Sequence, residues 1–303
     1  MAVCLGKAPE CLAQIDENSF FEHRALIDGV AEPGARARQV FGRMKLEAAG
    51  VRDATLAHML AMAAEQPGST ALDLYRAGMD FAMRAAGRTV WVQKATSYIF
   101  YGREILTLMP DARLLFLIRN PYDIAASKRR RDPWRESIWN TMISWNKGVR
   151  LGLELEREFP QRFKMIRYED FTGRAAETVP AVFAFLGIPF RPEYLDVPHV
   201  NKSESGYSLT GDGKGLNRSR VNNYLNNLRP SEIVAMDALA DRALVERFYP
   251  GLPHRERPAG FMTRLIGRVR IVWGPFHYAI DNARVLWRGP RYILARSIYR
   301  LKH

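Results

Sequence analysis

The feature that most constrains the fold is an unbroken apolar run, Leu114 to Ile118, that stops at a charged residue, Arg119. Such a run is typical of a strand that is covered on both faces in a parallel sheet. Asn120 is a good N-cap and Pro121 suits the first position of a helix, so a helix is expected to begin at once. The sequence therefore predicts a strand, a sharp turn and a helix N-terminus.

This strand-to-helix turn predicts an anion site. Ligands of open parallel sheets bind beyond the carboxyl ends of the strands, where a helix N-terminus offers free N–H groups and partial positive charge. Arg119 at the strand end and Ser127 in the helix are candidates for a phosphate clamp. The alternative is that Arg119 only ends the strand and Ser127 is an ordinary helix residue, because Asn-Pro by itself is a turn signal.

A longer pattern supports the clamp. Arg-x-Pro-x-Asp with a serine eight residues after the arginine resembles the 3′-phosphate-binding motif of sulfotransferases that use 3′-phosphoadenosine-5′-phosphosulfate (PAPS), in particular the bacterial and glycan-type enzymes. Tyr-Glu-Asp at 168–170, followed by a helix that closes on Phe-Leu-Gly, is a second match. Lys94, which follows a short predicted strand at 89–93, is a partial third match. The resemblance extends over roughly residues 2–251.

The resemblance implies a fold and a set of roles. The fold is α/β, a P-loop-type parallel sheet flanked by helices. Arg119 and Ser127 would bind the 3′-phosphate and Tyr168 would lie beside the adenine. Lys94 would stabilise charge on the bridging oxygen of the phosphosulfate, its alternative role being a solvated strand end.

Residues 201–220 are polar and glycine-rich and are predicted to form a flexible loop. The resemblance implies that a basic residue of this loop closes over the cofactor; Arg220 is the first candidate, and Lys214 and Arg218 are the alternatives.

The first strand and phosphate loop of the family have no counterpart in the sequence. Relatives hold the 5′-phosphosulfate in a Gly-x-x-Arg-Ser-Gly-Thr-Thr loop, and no glycine-rich phosphate loop occurs in these 303 residues. Residues 1–6 resemble the helix that follows this loop, so the reading frame is expected to start late, inside that helix; the alternative is a degenerate family member. Because N–H groups of the loop hold the phosphosulfate, transfer by the chain as given is expected to be impaired.

The acidic pair Asp16-Glu17 corresponds by position to the acidic residues that follow this helix in the family. Glu17 is the first candidate for the base that removes the acceptor's proton, and Asp16 is the second. Asp16 is nearly as good a candidate for a helix cap, a role that Asn18 also suits. His23 is a weaker candidate for the base, because relatives that use a histidine have it elsewhere in the chain.

Residues 1–254 are predicted to form the α/β domain, with a helical insert at 29–87 that would shape the acceptor pocket. Residues 255–303 are predicted to form a basic, amphipathic helical tail. The tail carries eleven Arg or Lys against two acids, a net +9 of the total +13.

Three interpretations of the tail stay open. Its helices pack their apolar stripe on the domain, or they bind an anionic membrane surface, or they bind another anionic partner. Arginines interleaved with tryptophan and aliphatic residues suit a lipid headgroup interface better than a nucleic-acid module.

Composition excludes several classes of protein. Cys4 and Cys11 are the only cysteines, which rules out a disulfide framework and favours a reducing compartment; their spacing predicts two small apolar residues on one helix. The six histidines show no metal-ligand spacing, and no apolar run reaches the ~18 residues of a membrane span. No secretory signal is recognisable. The expected location is the cytoplasm, with peripheral membrane attachment through the tail.

The expected activity is transfer of a sulfuryl group from PAPS to a hydroxyl or amine of an acceptor, a glycan or a lipid-linked molecule, without a metal. Two other classes remain as alternatives. One is a protein that binds 3′-phosphoadenosine nucleotides without transfer. The other is a basic membrane-surface or nucleic-acid-binding protein whose sheet is only a scaffold, although nucleic acid is the less expected partner.

Overall fold

The structure is a computed structural model that describes residues 1–15, 17–44, 46, 53–66, 68–131, 138–203, 206–214, 221–256 and 259–286. The described residues form two compact units. The first comprises residues within 1–109 and 175–216, and the second comprises residues within 110–174 and 217–294.

Helices dominate both units. In chain order they are α1 (Ala2–Leu5), α2 (Phe20–Asp28), α3 (Pro33–Met44), α4 (Asp53–Ala64), α5 (Ala71–Ala85), α6 (Gly102–Leu108), α7 (Pro121–Arg131), α8 (Ile138–Glu158), α9 (Tyr168–Gly173), α10 (Ala175–Leu186), α11 (Tyr224–Asn227), α12 (Pro230–Leu239), α13 (Arg242–Phe248) and α14 (Phe261–Leu286). The strands are β1 (Cys11–Gln14), β2 (Val90–Gln93), β3 (Leu114–Ile118), β4 (Phe163–Arg167), β5 (Pro198–Ser203) and β6 (Gly206–Lys214). None of these helices is both long enough and apolar enough to cross a membrane.

The first unit is built around a parallel strand pair and the helices of the insert. β1 pairs with β2, so that Cys11 lies opposite Val90 and Gln14 lies opposite Gln93. Apolar spacing predicts helices at 39–46, 55–64 and 72–86. Helices α4 and α5 agree with the last two stretches, whereas α3 begins six residues before the first, at Pro33. In the core, the rings of Phe20 and Tyr75 stack at 4.0 Å between centroids.

The second unit contains the predicted strand at 114–118 as β3, which pairs in parallel with β4. Helix α8 covers this pair. Its predicted core stripe, Ile138, Met142, Trp145 and Val149, is buried. Gly152 is needed where α8 meets the sheet, because a Cβ there would lie 3.0 Å from Met165 Sδ and from Phe116 Cδ1. The expected α/β class with parallel strands is confirmed.

Three local predictions are wrong. Cys11 lies in β1 and not on a helix with Cys4, because pairing with the distant β2 stabilises a strand that four residues cannot specify alone. The segment predicted as a flexible loop at 201–220 includes β5 and β6, which pair antiparallel. The sequence also predicts one helix from Pro230 to near Tyr249, whereas the structure has two, α12 and α13, since Asp241 accepts a hydrogen bond from the Leu244 N–H and begins α13.

A buried carboxylate joins three helices of the second unit. Glu232 of α12 is 0% exposed, and its Oε2 accepts the Arg229 N–H at 2.9 Å. Its Oε1 lies 3.4 Å from Arg129 Nη1 of α7 and 3.5 Å from Arg270 Nη1 of α14. A buried charge requires such partners, and removal of one partner is costly.

We expect Glu232→Ala to lower the free energy of unfolding by about 3–5 kcal/mol, because two guanidinium groups lose their shared counterion. Glu232→Gln, which keeps the shape, is expected to cost about 1–3 kcal/mol. Urea denaturation of both variants tests this. Glu246→Gln, on an exposed position of α13, is the control and should change stability by less than ~0.5 kcal/mol. Equal losses in all three variants would contradict the role of Glu232.

Candidate functional site

The turn between β3 and α7 has the predicted local structure. Asn120 is 2% exposed, and its Oδ1 accepts the Tyr122 N–H at 3.0 Å. Its carbonyl oxygen accepts the Ile124 N–H at 3.1 Å, and Pro121 is the first residue of α7. The N-cap and the helix start are therefore confirmed, and the N-terminus of an eleven-residue helix follows Arg119 directly.

Arg119 lies against Tyr168. The Arg119 Cζ is 4.5 Å from the centre of the Tyr168 ring. Parallel pairing explains this contact: Ile118 lies opposite Arg167, so the next residue of each strand emerges at the same edge. The Trp145 indole N–H also donates to the Arg119 carbonyl oxygen at 3.0 Å. A cation on an aromatic face at a helix N-terminus is suited to binding an anion that carries a flat ring.

Ser127 lies in α7 and is half-buried. It stands six residues after Pro121, which corresponds to about 9 Å along the helix axis. Its role in the clamp stays a prediction. Arg220 lies outside the described residues, as does Asp16.

Glu169 is a residue of this turn whose structural role the sequence did not reveal. The pattern favoured an acid that stabilises the first turn of α9, and Glu169 does lie in that turn. In addition, its Oε1 accepts the Asn120 N–H at 3.0 Å and its Oε2 accepts the Tyr249 hydroxyl at 3.2 Å. Burial raises the pKa of Tyr249, so the phenol stays a neutral donor. Glu169 thus holds the β3–α7 turn against the start of α9.

Asp123, the acid of the Arg-x-Pro-x-Asp pattern, positions another chain segment. It is 2% exposed; its Oδ2 accepts the Asn222 N–H and its Oδ1 accepts the Tyr224 N–H, both at 2.9 Å. Burial raises the pKa of Asp123, while these hydrogen bonds and the Arg119 charge oppose that rise. Asn222 has a left-handed backbone, with φ of 57°. Asp123 therefore anchors the chain two to four residues after Arg220.

In the first unit, the structure brings together two of the predicted catalytic residues. Glu17 follows β1 and Lys94 follows β2, and the Lys94 Nζ lies 3.5 Å from the Glu17 Oε1. The Thr96 hydroxyl donates to the Glu17 Oε2 at 3.4 Å. The side chains of Glu17 and Lys94 are 43% and 38% exposed, so both can exchange this pairing for a contact with substrate.

Hydrogen bonds at the end of β2 hold the backbone of Lys94 and the side chain of Gln93. The Lys94 N–H donates to the Gln14 carbonyl oxygen at 3.4 Å. Gln93, directly before Lys94, accepts the Trp91 indole N–H and donates to the Tyr98 hydroxyl, both at 3.1 Å.

Asn18, the alternative candidate for the helix cap, and His23, the alternative candidate for the base, each make a hydrogen bond near α2. Asn18 Oδ1 accepts the Phe20 N–H at 2.8 Å, but the N-cap residue of α2 is Ser19, whose side chain makes no capping hydrogen bond. His23 Nδ1–H donates to the Ser19 carbonyl oxygen at 2.9 Å. Among the described residues no cluster of three His, Cys, Asp or Glu could hold a metal ion. Burial raises the pKa of the Cys11 thiol to about 11, which keeps it from acting as a thiolate nucleophile at neutral pH.

Comparison with known proteins identifies the family of this chain. The model of the sulfotransferase family matches residues 7–192. The chain belongs to the sulfotransferase family. The matched range includes Glu17, Lys94, Arg119, Ser127 and Tyr168, whereas Arg220 lies after it.

A solved structure of a sulfotransferase domain shares the fold. The sulfotransferase domain from the Synechococcus PCC 7002 olefin synthase has a TM-score of 0.51 and 19% identity over 80% of this chain and 88% of that chain. The sulfotransferase domain from the curacin biosynthetic pathway has a TM-score of 0.45 and 16% identity over 88% of this chain and 90% of that chain. A search of curated proteins found no match.

For this sulfotransferase we expect Asp123→Asn to lower the free energy of unfolding by about 1–3 kcal/mol, because an amide NH₂ would replace one of two acceptors and leave a buried N–H unsatisfied. Urea denaturation measures the loss. The control is Asp111→Asn, at an exposed position of the same unit, for which the change should stay within ~0.5 kcal/mol. If Asp123→Asn behaves like its control, the two hydrogen bonds do not anchor residues 222–224.

Proposed function

We propose that this sulfotransferase transfers the sulfuryl group of PAPS to a hydroxyl or amine of an acceptor. The observation that carries the proposal is the contact of Arg119 with Tyr168 at the start of α7. A guanidinium group can bind a phosphate through two parallel hydrogen bonds, and a helix N-terminus adds N–H groups and partial positive charge. Together they suit the 3′-phosphate, while the aromatic ring suits the neighbouring adenine.

Each predicted residue has a role in binding the nucleotide. Arg119 and the Ser127 hydroxyl donate to the 3′-phosphate. Tyr168 fixes the guanidinium on one face and borders the adenine. Arg220 is proposed to close over the nucleotide from the segment that Asp123 anchors at Asn222.

The proposed reaction is an in-line displacement at sulfur. The acceptor oxygen or nitrogen attacks, the bond between sulfur and the bridging oxygen breaks, and 3′-phosphoadenosine-5′-phosphate leaves with the electron pair of that bond. Glu17 takes the acceptor's proton, and the Lys94 ammonium offsets negative charge on the bridging oxygen. The observed pairing of Lys94 with Glu17 keeps a base and a cation together, and their partial exposure lets substrate reach both.

The acceptor is proposed to be a glycan or a lipid-linked molecule, and the insert helices α3, α4 and α5 are proposed to line its binding site. The 303 residues include no glycine-rich phosphate loop. Transfer by this chain is therefore expected to be slow, whereas binding of the product nucleotide needs only the 3′-phosphate site.

Calorimetric titration with 3′-phosphoadenosine-5′-phosphate tests this site without requiring turnover. We expect Arg119→Ala to raise the Kd by about 10- to 150-fold, the effect of losing a hydrogen bond to a charged group. Arg157→Ala, an exposed arginine near the end of α8, is the matched control and should leave the Kd unchanged. No binding by the folded wild-type chain, or an equal effect of both substitutions, would contradict the proposal.

The role of Glu17 is tested by sulfate transfer from labelled PAPS to a panel of hydroxyl and amine acceptors. We expect Glu17→Gln to reduce the rate by about 10²- to 10⁴-fold, because the amide cannot take the proton. The Kd for 3′-phosphoadenosine-5′-phosphate should not change, and Glu65→Gln, at an exposed position after α4, should transfer normally. A wild-type chain that binds the nucleotide but labels no acceptor would favour the alternative of binding without transfer.

A further inference from the structure

Helix α14 presents its small residues to the second unit. It packs on α12 and α8. A Cβ on Gly267 would lie 2.7 Å from Val234 Cγ1, and a Cβ on Gly274 would lie 2.7 Å from Trp139 Cβ. These glycines are seven residues apart and therefore lie on one helix face. The close approach leaves no space for a side chain at positions 267 and 274.

Most large apolar side chains of α14 are exposed on the opposite face. Along the outer face, Leu265, Val269, Val272 and Phe276 follow a spacing of four, three and four residues and are 45%, 49%, 76% and 56% exposed. We call these four residues the outer stripe. Five further exposed residues border it: Phe261, Met262, Ile266, Trp273 and Ile280. Ile271 packs against the core of the second unit, as the interpretation in which the tail packs on the domain expects, whereas the outer stripe stays exposed.

The charges around the outer stripe are all positive over most of the helix. Residues 261–280 contain no acid, and Arg264 and Arg268 are exposed beside the stripe. Arg270 is on the inner side, where it pairs with Glu232 at 3.5 Å. The whole segment 255–303, which includes these arginines, has a net charge of +9. An occupant of this surface must therefore accept apolar side chains and supply negative charge.

We propose that the outer stripe of α14 binds an anionic lipid membrane surface. The helix would lie in the plane of the interface, with the stripe among the upper acyl chains and Arg264 and Arg268 among the headgroup phosphates. Trp273, at the border of the stripe, suits the headgroup level because its ring is apolar with one polar N–H. This inference is independent of the sulfuryl transfer proposed above.

Charge complementarity favours lipid over a second copy of the chain. A second copy would present the same stripe and the same exposed arginines, with no acid in 261–280 to pair with them. Anionic headgroups above an apolar layer satisfy both requirements of the surface at once.

Vesicle flotation of the full chain tests the proposal. The probes are vesicles of phosphatidylcholine alone and of phosphatidylcholine mixed with phosphatidylglycerol. We expect strong binding only to the mixed vesicles. Leu265→Gln combined with Phe276→Gln should weaken that binding at least ~10-fold, because apolar area is lost without a change of charge. Arg264→Gln combined with Arg268→Gln should weaken it by about 30-fold in low salt, about fivefold for each arginine.

Matched controls separate the stripe from general effects. Leu225 and Met62 are exposed to 45% and 49% elsewhere on the chain, so Leu225→Gln combined with Met62→Gln should bind vesicles like the wild type. The variant with Leu265→Gln and Phe276→Gln, called the stripe variant, should keep its thermal transition and its affinity for 3′-phosphoadenosine-5′-phosphate. These two measurements distinguish a failure of the membrane proposal from a failure of the proposed function.

Two results would overturn the proposal. One is equal vesicle binding by the stripe variant and its control. The other is a wild-type dimer in light scattering that the stripe variant converts to a monomer, with no vesicle binding by either, which would assign the stripe to contact between two copies.

Discussion

The parallel pairing of β3 with β4 is the interaction on which the proposed nucleotide site depends. The pairing places Ile118 opposite Arg167, so both strands end at the same edge of the sheet. Arg119 therefore reaches the Tyr168 ring. One residue further along each segment, the Asn120 N–H donates to the Glu169 carboxylate. A shift of the register by one residue would send the side chains of one strand to the opposite face and lose this arrangement.

Two buried carboxylates join α7 to the rest of the second unit. Near the start of the helix, Asp123 accepts two backbone N–H groups from residues 222 and 224. Near its end, Arg129 reaches Glu232, which also faces Arg270 of α14. Carboxylates in such positions require full pairing to offset the cost of losing water. The same helix that begins at the proposed phosphate site is therefore held at one end to the segment after Arg220 and at the other to the proposed membrane surface.

Much of the local structure was predictable because it depends on short-range rules. The apolar run at 114–118, the Asn120 cap with Pro121, and the spacing in α3, α5 and α8 each specify an element from neighbouring residues. β1, the β5–β6 pair and the break at Asp241 were missed, since partners distant in sequence or a single capping bond decide them. For the site, the motif predicted Arg119 and Tyr168, but not the hydrogen bonds of Asp123 and Glu169. The binding roles of Arg119, Ser127, Tyr168 and Arg220 stay predictions.

By itself, the sequence determined that a strand ends at Arg119, that a helix begins at Pro121, and that a basic amphipathic helix lies in the tail. Only the tertiary structure decided which face of α14 is buried. Apolar spacing shows that a helix has two faces, but it does not show how close a neighbouring helix will come. Val234 and Trp139 approach Gly267 and Gly274 so closely that no side chain fits at these two positions, so this face of α14 is buried and the face that carries the outer stripe is exposed.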